Sequence, residues 1–250
     1  ITRGVVTAVA QLKNSTGMEV YIQDPIGDGD ELTSDAINLY FDTYQDSLKV
    51  GQSIEVSGTV FEVVTYEGMT RTALRDIVKV DILEPNVALP EAVLIGEGGV
   101  MPPNHHVSSY RGNLNQKQTL DPKDGMDFWE RYEGMRLRVK TPTVVGFAGG
   151  KSKYDEEESY INVYVRPEGA SDPAHLSAKG GLISDEKSNT LNPEIIRIVD
   201  SELAPNVGAQ ARRAVFTVGD KFSYDLEGVF SFQTNTFGDG QFVLFLSGRF

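Results

Sequence analysis

The sequence predicts an all-β protein built from two tandem five-stranded barrels that a long irregular connection joins. Three observations carry this prediction. Apolar and polar residues alternate in many short segments, as they do in half-buried strands. Glycines separate or interrupt these segments where a barrel strand has to turn or bend. No comparable helical periodicity runs through the first 83 residues.

The first predicted barrel covers residues 1–83. Its clearest strands are Met18–Gln23 and Ala36–Phe41, in which every second side chain is apolar. Because side chains alternate between the faces of a strand, Tyr21 and Tyr40 are expected to point outward. Gly58 interrupts a further strand and predicts a bulge or bend at that position.

Residues 84–128 predict a linker or wrapping loop, because they contain five prolines and five glycines and exceed the length of an ordinary connection. Alternation resumes in residues 129–250, which predict the second barrel with insertions. Val50-Gly51 and Val218-Gly219 each precede a strand that carries a glycine followed by Val-Phe, which supports two copies of one barrel. Trp129 and Tyr132 are the expected packing anchors where the second barrel begins.

The composition excludes several classes of function. The 250 residues include no cysteine, which excludes disulfides, thiol catalysis and cysteine-bound zinc. The sequence lacks a run of about 18 apolar residues, so it predicts no membrane span. A formal net charge of -13 argues against indiscriminate nucleic-acid binding but allows a local basic patch. The start at Ile1, without a signal peptide, leads us to expect a processed or shortened piece of a longer protein.

A basic and aromatic face is predicted in the second half. Arg136, Arg138 and Lys140 lie on the polar side of one predicted strand, Arg136–Val145. The following strand presents Tyr160, Asn162, Tyr164 and Arg166 on its polar side. If the two strands are neighbours, cations can follow phosphates while rings stack on bases, which suits single-stranded nucleic acid. An ordinary solvated sheet face is the open alternative.

The matching face of the first barrel carries Tyr21, Tyr40 and, on a later strand, Arg71. It is less basic, because residues 1–83 hold six basic and thirteen acidic side chains. These three residues are therefore weaker candidates for contact with nucleic acid, and a solvated face again explains them as well.

A calcium site is a further possibility in the loop that contains Asp24, Asp28 and Asp30. Carboxylates and carbonyls on a glycine-rich loop are suitable ligands for a hard cation. The spacing is not that of an EF-hand, and Asp and Gly are also ordinary residues of a hairpin turn. Both explanations stay open.

The sequence predicts no catalytic residue. It contains no nucleophile elbow, phosphate-binding loop or dinucleotide fingerprint. Its three histidines, His105, His106 and His175, all lie in loop-like sequence.

A family resemblance is carried by an ordered set of segments along almost the entire chain. These include Val20–Asp30, Thr33–Tyr40, Leu120–Glu130, Gly180–Ser184 and Asn192–Ile196. As a set they resemble the N-terminal region of large secreted bacterial nucleases, whose catalytic domain is of the endonuclease/exonuclease/phosphatase type. Ile195 departs from the arginine that this family tends to have after its Asn-Pro-Glu.

The resemblance implies OB-like barrels in a secreted or cell-surface bacterial protein. It implies a non-catalytic region that positions DNA or RNA, single-stranded or duplex, for a C-terminal phosphodiesterase domain. That domain would use magnesium, manganese or calcium. Two other roles stay open: a spacer that packs against or displays the catalytic domain without a ligand, and a carbohydrate-binding module, since the faces of such barrels also suit sugars.

Overall fold

The computed structural model describes residues 1–11, 16–64, 70–112, 116–117, 119–151, 159–184, 191–199, 216–234 and 240–247. In this part of the chain the regular structure is almost all strand, which confirms the all-β prediction. The helical elements are α1, Gly125–Glu130, and a 3-10 turn at Pro173–His175. None of the described helices is long and apolar enough to cross a membrane.

The first five strands close into a barrel. Their order around the barrel is β1-β2-β3-β5-β4, and β1 also pairs with β4. The β3–β5 pair is parallel, whereas the other pairs are antiparallel. This is the first predicted OB-like barrel. The bounds are β1 Thr2–Gln11, β2 Met18–Gln23, β3 Ala36–Phe41, β4 Ser53–Val64 and β5 Thr70–Glu84.

The barrel core follows the predicted alternation. Met18, Val20 and Ile22 of β2 are buried together with inward residues of the other strands. The β4–β5 register shifts around Gly58, so the predicted bulge is confirmed. A Cβ atom at Gly58 would lie 2.7 Å from the Arg75 carbonyl oxygen, which explains why a glycine occupies this position.

The second unit is a seven-stranded sheet in the described residues, not the predicted five-stranded barrel. Its strand order is β6-β7-β11-β12-β10-β9-β8. The single predicted strand from Arg136 to Val145 is two strands, because Thr141 has a φ of 20° and Pro142 follows it. The bounds are β6 Val93–Ile95, β7 Arg136–Val139, β8 Thr143–Lys151, β9 Ser159–Arg166, β10 Ile196–Val199, β11 Leu226–Thr234 and β12 Gly240–Leu246.

The predicted linker contributes structure to this sheet. Strand β6 lies inside residues 84–128 and pairs in parallel with β7. Further along, the amides of Gly125 and Met126 donate to the carbonyls of His106 and Val107. This segment therefore wraps against the second unit, which was one of its two predicted forms.

Trp129 is at the centre of the second core. Its side chain is buried, and its indole N–H donates to the Pro193 carbonyl over 2.7 Å. Its ring centre lies 4.8 Å from that of Phe128 and 4.9 Å from that of Phe230. Tyr132 is also buried in this core, so the two predicted packing anchors are confirmed.

The two units are joined by buried polar contacts. The Tyr21 hydroxyl of β2 donates to Ser231 Oγ of β11 over 3.0 Å. Next to it, the Arg136 amide donates to Gln23 Oε1 over 2.9 Å. The outward face of β2 therefore lies against the second unit.

Candidate functional site

The predicted basic and aromatic face is not continuous. Strand β7 carries Arg136 and Arg138, while β9 carries Asn162, Tyr164 and Arg166. Three strands, β11, β12 and β10, separate β7 from β9 in the sheet. The expectation that these two strands are neighbours is therefore wrong, because the later strands insert between them.

Arg136 and Lys140 of the β7 segment are engaged within the chain, whereas Arg138 Nε has no hydrogen-bond partner among the described residues. Arg136 is 12% exposed and donates to the Pro90 carbonyl and to the Glu227 carboxylate. Lys140 Nζ lies 3.7 Å from an oxygen of Asp225. Arg138 is paired in register with Glu227. Each cation thus has an acidic neighbour, which reduces the positive charge available to a phosphate.

Strand β9 places Tyr164 beside a cation that the sequence did not single out. Tyr164 is the register partner of Arg197 on β10, so the two side chains lie on one face of the sheet. Asn162 and Arg166 are half-buried on the same strand. The side chain of Tyr160 lies outside the described part of the structure.

Arg197 is a buried cation without an acidic partner in the described residues. It is 8% exposed and donates to Gln233 Oε1 over 3.0 Å, while its Nε has no hydrogen-bond partner there. Burial lowers the pKa of the guanidinium, and the hydrogen bond to Tyr164 opposes this shift. A buried cation is costly unless an anion or hydrogen bonds compensate it. Arg197 is therefore suited to an anionic ligand.

A cavity of about 270 Å³ lies at this position. Tyr164 and Arg197 form part of its wall, and Trp129 and Phe242 give it an aromatic side. The remaining wall residues are Val107, Gly125, Met126, Leu191, Asn192, Pro193, Ile195 and Gln241. We call this cavity the Arg197 pocket. It combines a cation with apolar rings, as a site for an anionic aromatic ligand requires.

Two further polar atoms in the wall are without partners among the described residues. They are Oδ1 of Asn192 and Oε1 of Gln241. Asn192 is 6% exposed and has a φ of 51°, so the backbone holds this side chain in an uncommon conformation. Both oxygens can accept hydrogen bonds from a ligand.

On the first barrel, Tyr21 and Arg71 belong to a buried network. Arg71 donates to the Glu19 carboxylate over 2.6 Å and to the Tyr21 hydroxyl over 3.2 Å. Burial raises the pKa of Tyr21 far above its ordinary value, so the phenol stays protonated. Tyr40 is separate from this network, and the Arg75 guanidinium lies 4.5 Å from its ring centre.

The loop predicted to bind calcium uses its carboxylates to hold its own backbone. Asp24, Asp28 and Asp30 each accept a hydrogen bond from an amide two residues later. These bonds close turns in the way that Asp side chains commonly do. The described residues include no group of three His, Cys, Asp or Glu side chains placed to hold a metal ion. Calcium binding by this loop stays a prediction.

Arg197 is the candidate that sequence reasoning missed. The signal was present, because Ile196-Arg197-Ile198 alternates and so places an arginine on the face opposite the core. What the sequence does not reveal is that β10 lies directly beside β9, which brings Arg197 to Tyr164.

Fold and cavity together define an all-β protein with an OB-like barrel and a ligand-sized pocket in its second unit. Residues 94–238, more than half of the chain, match a family described as a domain of unknown function, DUF8508. The chain belongs to this family. The matched region begins within β6. It therefore includes the later part of the predicted linker together with strands of the second sheet. No curated protein matches the chain.

Proposed function

We propose that this chain is a non-catalytic module that binds single-stranded nucleic acid, with Tyr164 and Arg197 at the centre of the contact. The observation that carries the proposal is the buried Arg197 guanidinium, which has no carboxylate partner in the described residues and faces an aromatic pocket. A phosphate oxygen would supply the missing anion. The rings would contact a base, a type of contact that contributes about 1–3 kcal/mol per base.

The size of the Arg197 pocket favours a single strand over a duplex. A cavity of about 270 Å³ accommodates part of one nucleotide, not the wide surface of a double helix. Proteins that bind single strands contact unstacked bases. This holds both for proteins that bind without sequence preference and for those that recognise single-stranded RNA loops. The net charge of -13 restricts contact to this local site, because the surrounding protein repels phosphates.

The resemblance to secreted nucleases adds a biological role to the proposed binding activity. The module would hold DNA or RNA close to a phosphodiesterase domain of the same protein, outside the bacterial cell. Magnesium, manganese or calcium would then belong to that catalytic domain, since the wall of the Arg197 pocket contains a guanidinium and no carboxylate, which disfavours a metal ion.

A titration of the chain with a fluorescently labelled single-stranded oligonucleotide tests the proposal. We expect saturable binding that weakens between roughly 50 mM and 200 mM salt. Arg197→Gln should weaken binding at least about tenfold, since a charged hydrogen bond contributes about 1.5–3 kcal/mol. Arg3→Gln is the matched control, because Arg3 is exposed and paired with Glu55. Equal affinity of the Arg197→Gln variant and the wild type would overturn the proposal.

A spacer without a ligand is the second candidate function. The observation that favours it is the covered face of β2, where Tyr21 and Gln23 bond to the second unit instead of facing solvent. Such a contact fixes the two units relative to each other. The spacer predicts no saturable oligonucleotide binding at either salt concentration.

A further inference from the structure

A second cavity lies between the two units. It has a volume of about 420 Å³ and lies between the outward face of β2 and β3 and the turn that follows α1. Its wall has an acidic part, formed by Glu130 and Glu133, a neutral polar part that includes Asn38, and one cation, Arg71. Its apolar wall residues are Leu32, Ala36, Ile37, Val60 and Leu120. We call it the interface cavity.

The two carboxyl groups of the wall share one cation, Arg71, which is paired with Glu19. Glu133 is 9% exposed, and its Oε1 has no hydrogen-bond partner among the described residues. Burial, together with the nearby Glu130 carboxylate, raises the pKa of Glu133 to about 8, although Arg71 opposes the shift. Arg71 is already bonded to Glu19, which reduces what it can offer to Glu133.

The charged groups that act on Glu130 are also negative. Burial, together with the nearby carboxylates of Glu62 and Asp127, raises the pKa of Glu130 to about 7. Glu62 acts on Glu133 in the same direction. A bound cation would stabilise the ionised form of both carboxyl groups.

Asn38 provides an independent sign of a missing ligand. Its side chain is 2% exposed, yet neither the oxygen nor the nitrogen of its amide has a hydrogen-bond partner within the described chain. Buried polar side chains are nearly always hydrogen-bonded. Since Asn38 is part of the cavity wall, a ligand with a donor group can satisfy its amide oxygen.

We propose that the interface cavity binds a small organic cation, a primary ammonium on a short aliphatic chain. The ammonium donates to Glu133, Glu130 and the amide oxygen of Asn38, which matches its three N–H donors. The aliphatic chain lies against the apolar part of the wall. A bare metal ion suits the cavity less well, because it prefers a closed shell of oxygens and gains nothing from aliphatic side chains.

This proposal is independent of the proposed nucleic-acid site. The two cavities share no wall residue, and they favour ligands of opposite charge. Loss of either activity would leave the other intact.

Butylamine is the probe, and 1-butanol is its uncharged counterpart of nearly equal size. In ligand-observed NMR titrations of the full chain, we expect saturable binding of butylamine and none of butanol. Binding should strengthen from about pH 6 to about pH 9, because the carboxyl groups ionise while an alkyl ammonium stays charged, like that of lysine with a pKa of about 10.4. Glu133→Gln should weaken binding at least about tenfold.

Two variants make this result interpretable. Glu91→Gln removes an exposed carboxylate that is not part of the cavity wall and should bind like the wild type. Glu130→Gln gives a second test at a less buried position if Glu133→Gln fails to fold. Equal binding of butylamine and butanol, unchanged binding in both cavity variants, or binding of calcium without binding of butylamine would each overturn the proposal.

Discussion

The Tyr21 hydroxyl donates to Ser231 Oγ across 3.0 Å, although 210 residues separate the two positions in the chain. Tyr21 is fully buried, and the same hydroxyl accepts from Arg71. One phenol therefore joins the barrel, the second sheet and the Arg71–Glu19 ion pair. This contact holds the barrel and the second sheet in a fixed position relative to each other.

Tyr21→Phe should lower the free energy of unfolding by about 1–3 kcal/mol. The substitution keeps the ring but removes the donor to Ser231 Oγ and one of the two acceptors that Arg71 contacts in this network. Chemical denaturation measures the change. Tyr224→Phe is the control, because Tyr224 is 45% exposed, and its loss of a hydroxyl should have little effect. Equal stability of the two variants would contradict a structural role for Tyr21.

Stability should fall as pH rises through the neutral range. The pKa of Glu133 is about 8 in the folded protein, against about 4.3 for an unperturbed glutamate. Between these values the folded state binds a proton that the unfolded state has released, so ionisation favours unfolding as pH rises. Glu130, with a pKa of about 7, acts in the same direction.

Glu133→Gln tests this pH dependence directly. The variant should show a flatter stability profile than the wild type, and its advantage should be largest above about pH 8, where the wild-type carboxyl is ionised. Thermal melts across the pH range measure the profile, with the exposed Glu91→Gln as control. Parallel profiles for wild type and Glu133→Gln would show that this carboxyl is not responsible.

Arg136→Ala should affect stability and leave oligonucleotide affinity unchanged. Its guanidinium joins Pro90 and Glu227, and removing it leaves both acceptors without a donor, at a cost of about 1–3 kcal/mol. Denaturation and the oligonucleotide titration measure the two effects separately. Weaker nucleic-acid binding in a stably folded Arg136→Ala variant would indicate that β7 contacts the nucleic acid, as the sequence alone predicts.

Local patterns predict the first barrel well. The alternation in Met18–Gln23 and the glycine at position 58 fix which residues face inward and where a strand bends. The burial of Trp129 is also predicted from its position in the sequence, where the second unit begins. These features depend on side chains close together in sequence, and the chain itself supplies that information.

The second sheet could not be predicted in the same way. Gly51 and Gly219 both adopt positive φ in turns, but the strands that follow them belong to different sheets, so the local similarity does not make two copies of one barrel. The strand order, however, depends on parallel pairs between segments far apart, such as β10 with β12. Alternation specifies the faces of a strand but not its neighbours. The Tyr164–Arg197 pair follows from that order, so it is visible only in the structure.

Trp129 fluorescence gives the most direct test of the proposed nucleic-acid site. It is the only tryptophan in the chain, and it forms part of the wall of the Arg197 pocket. Adding a short unlabelled single-stranded oligonucleotide should change its emission saturably in the wild type, and the change should require a much higher concentration in Arg197→Gln. A constant emission spectrum would contradict the proposed site at the Arg197 pocket, whether a labelled oligonucleotide binds elsewhere on the chain or fails to bind.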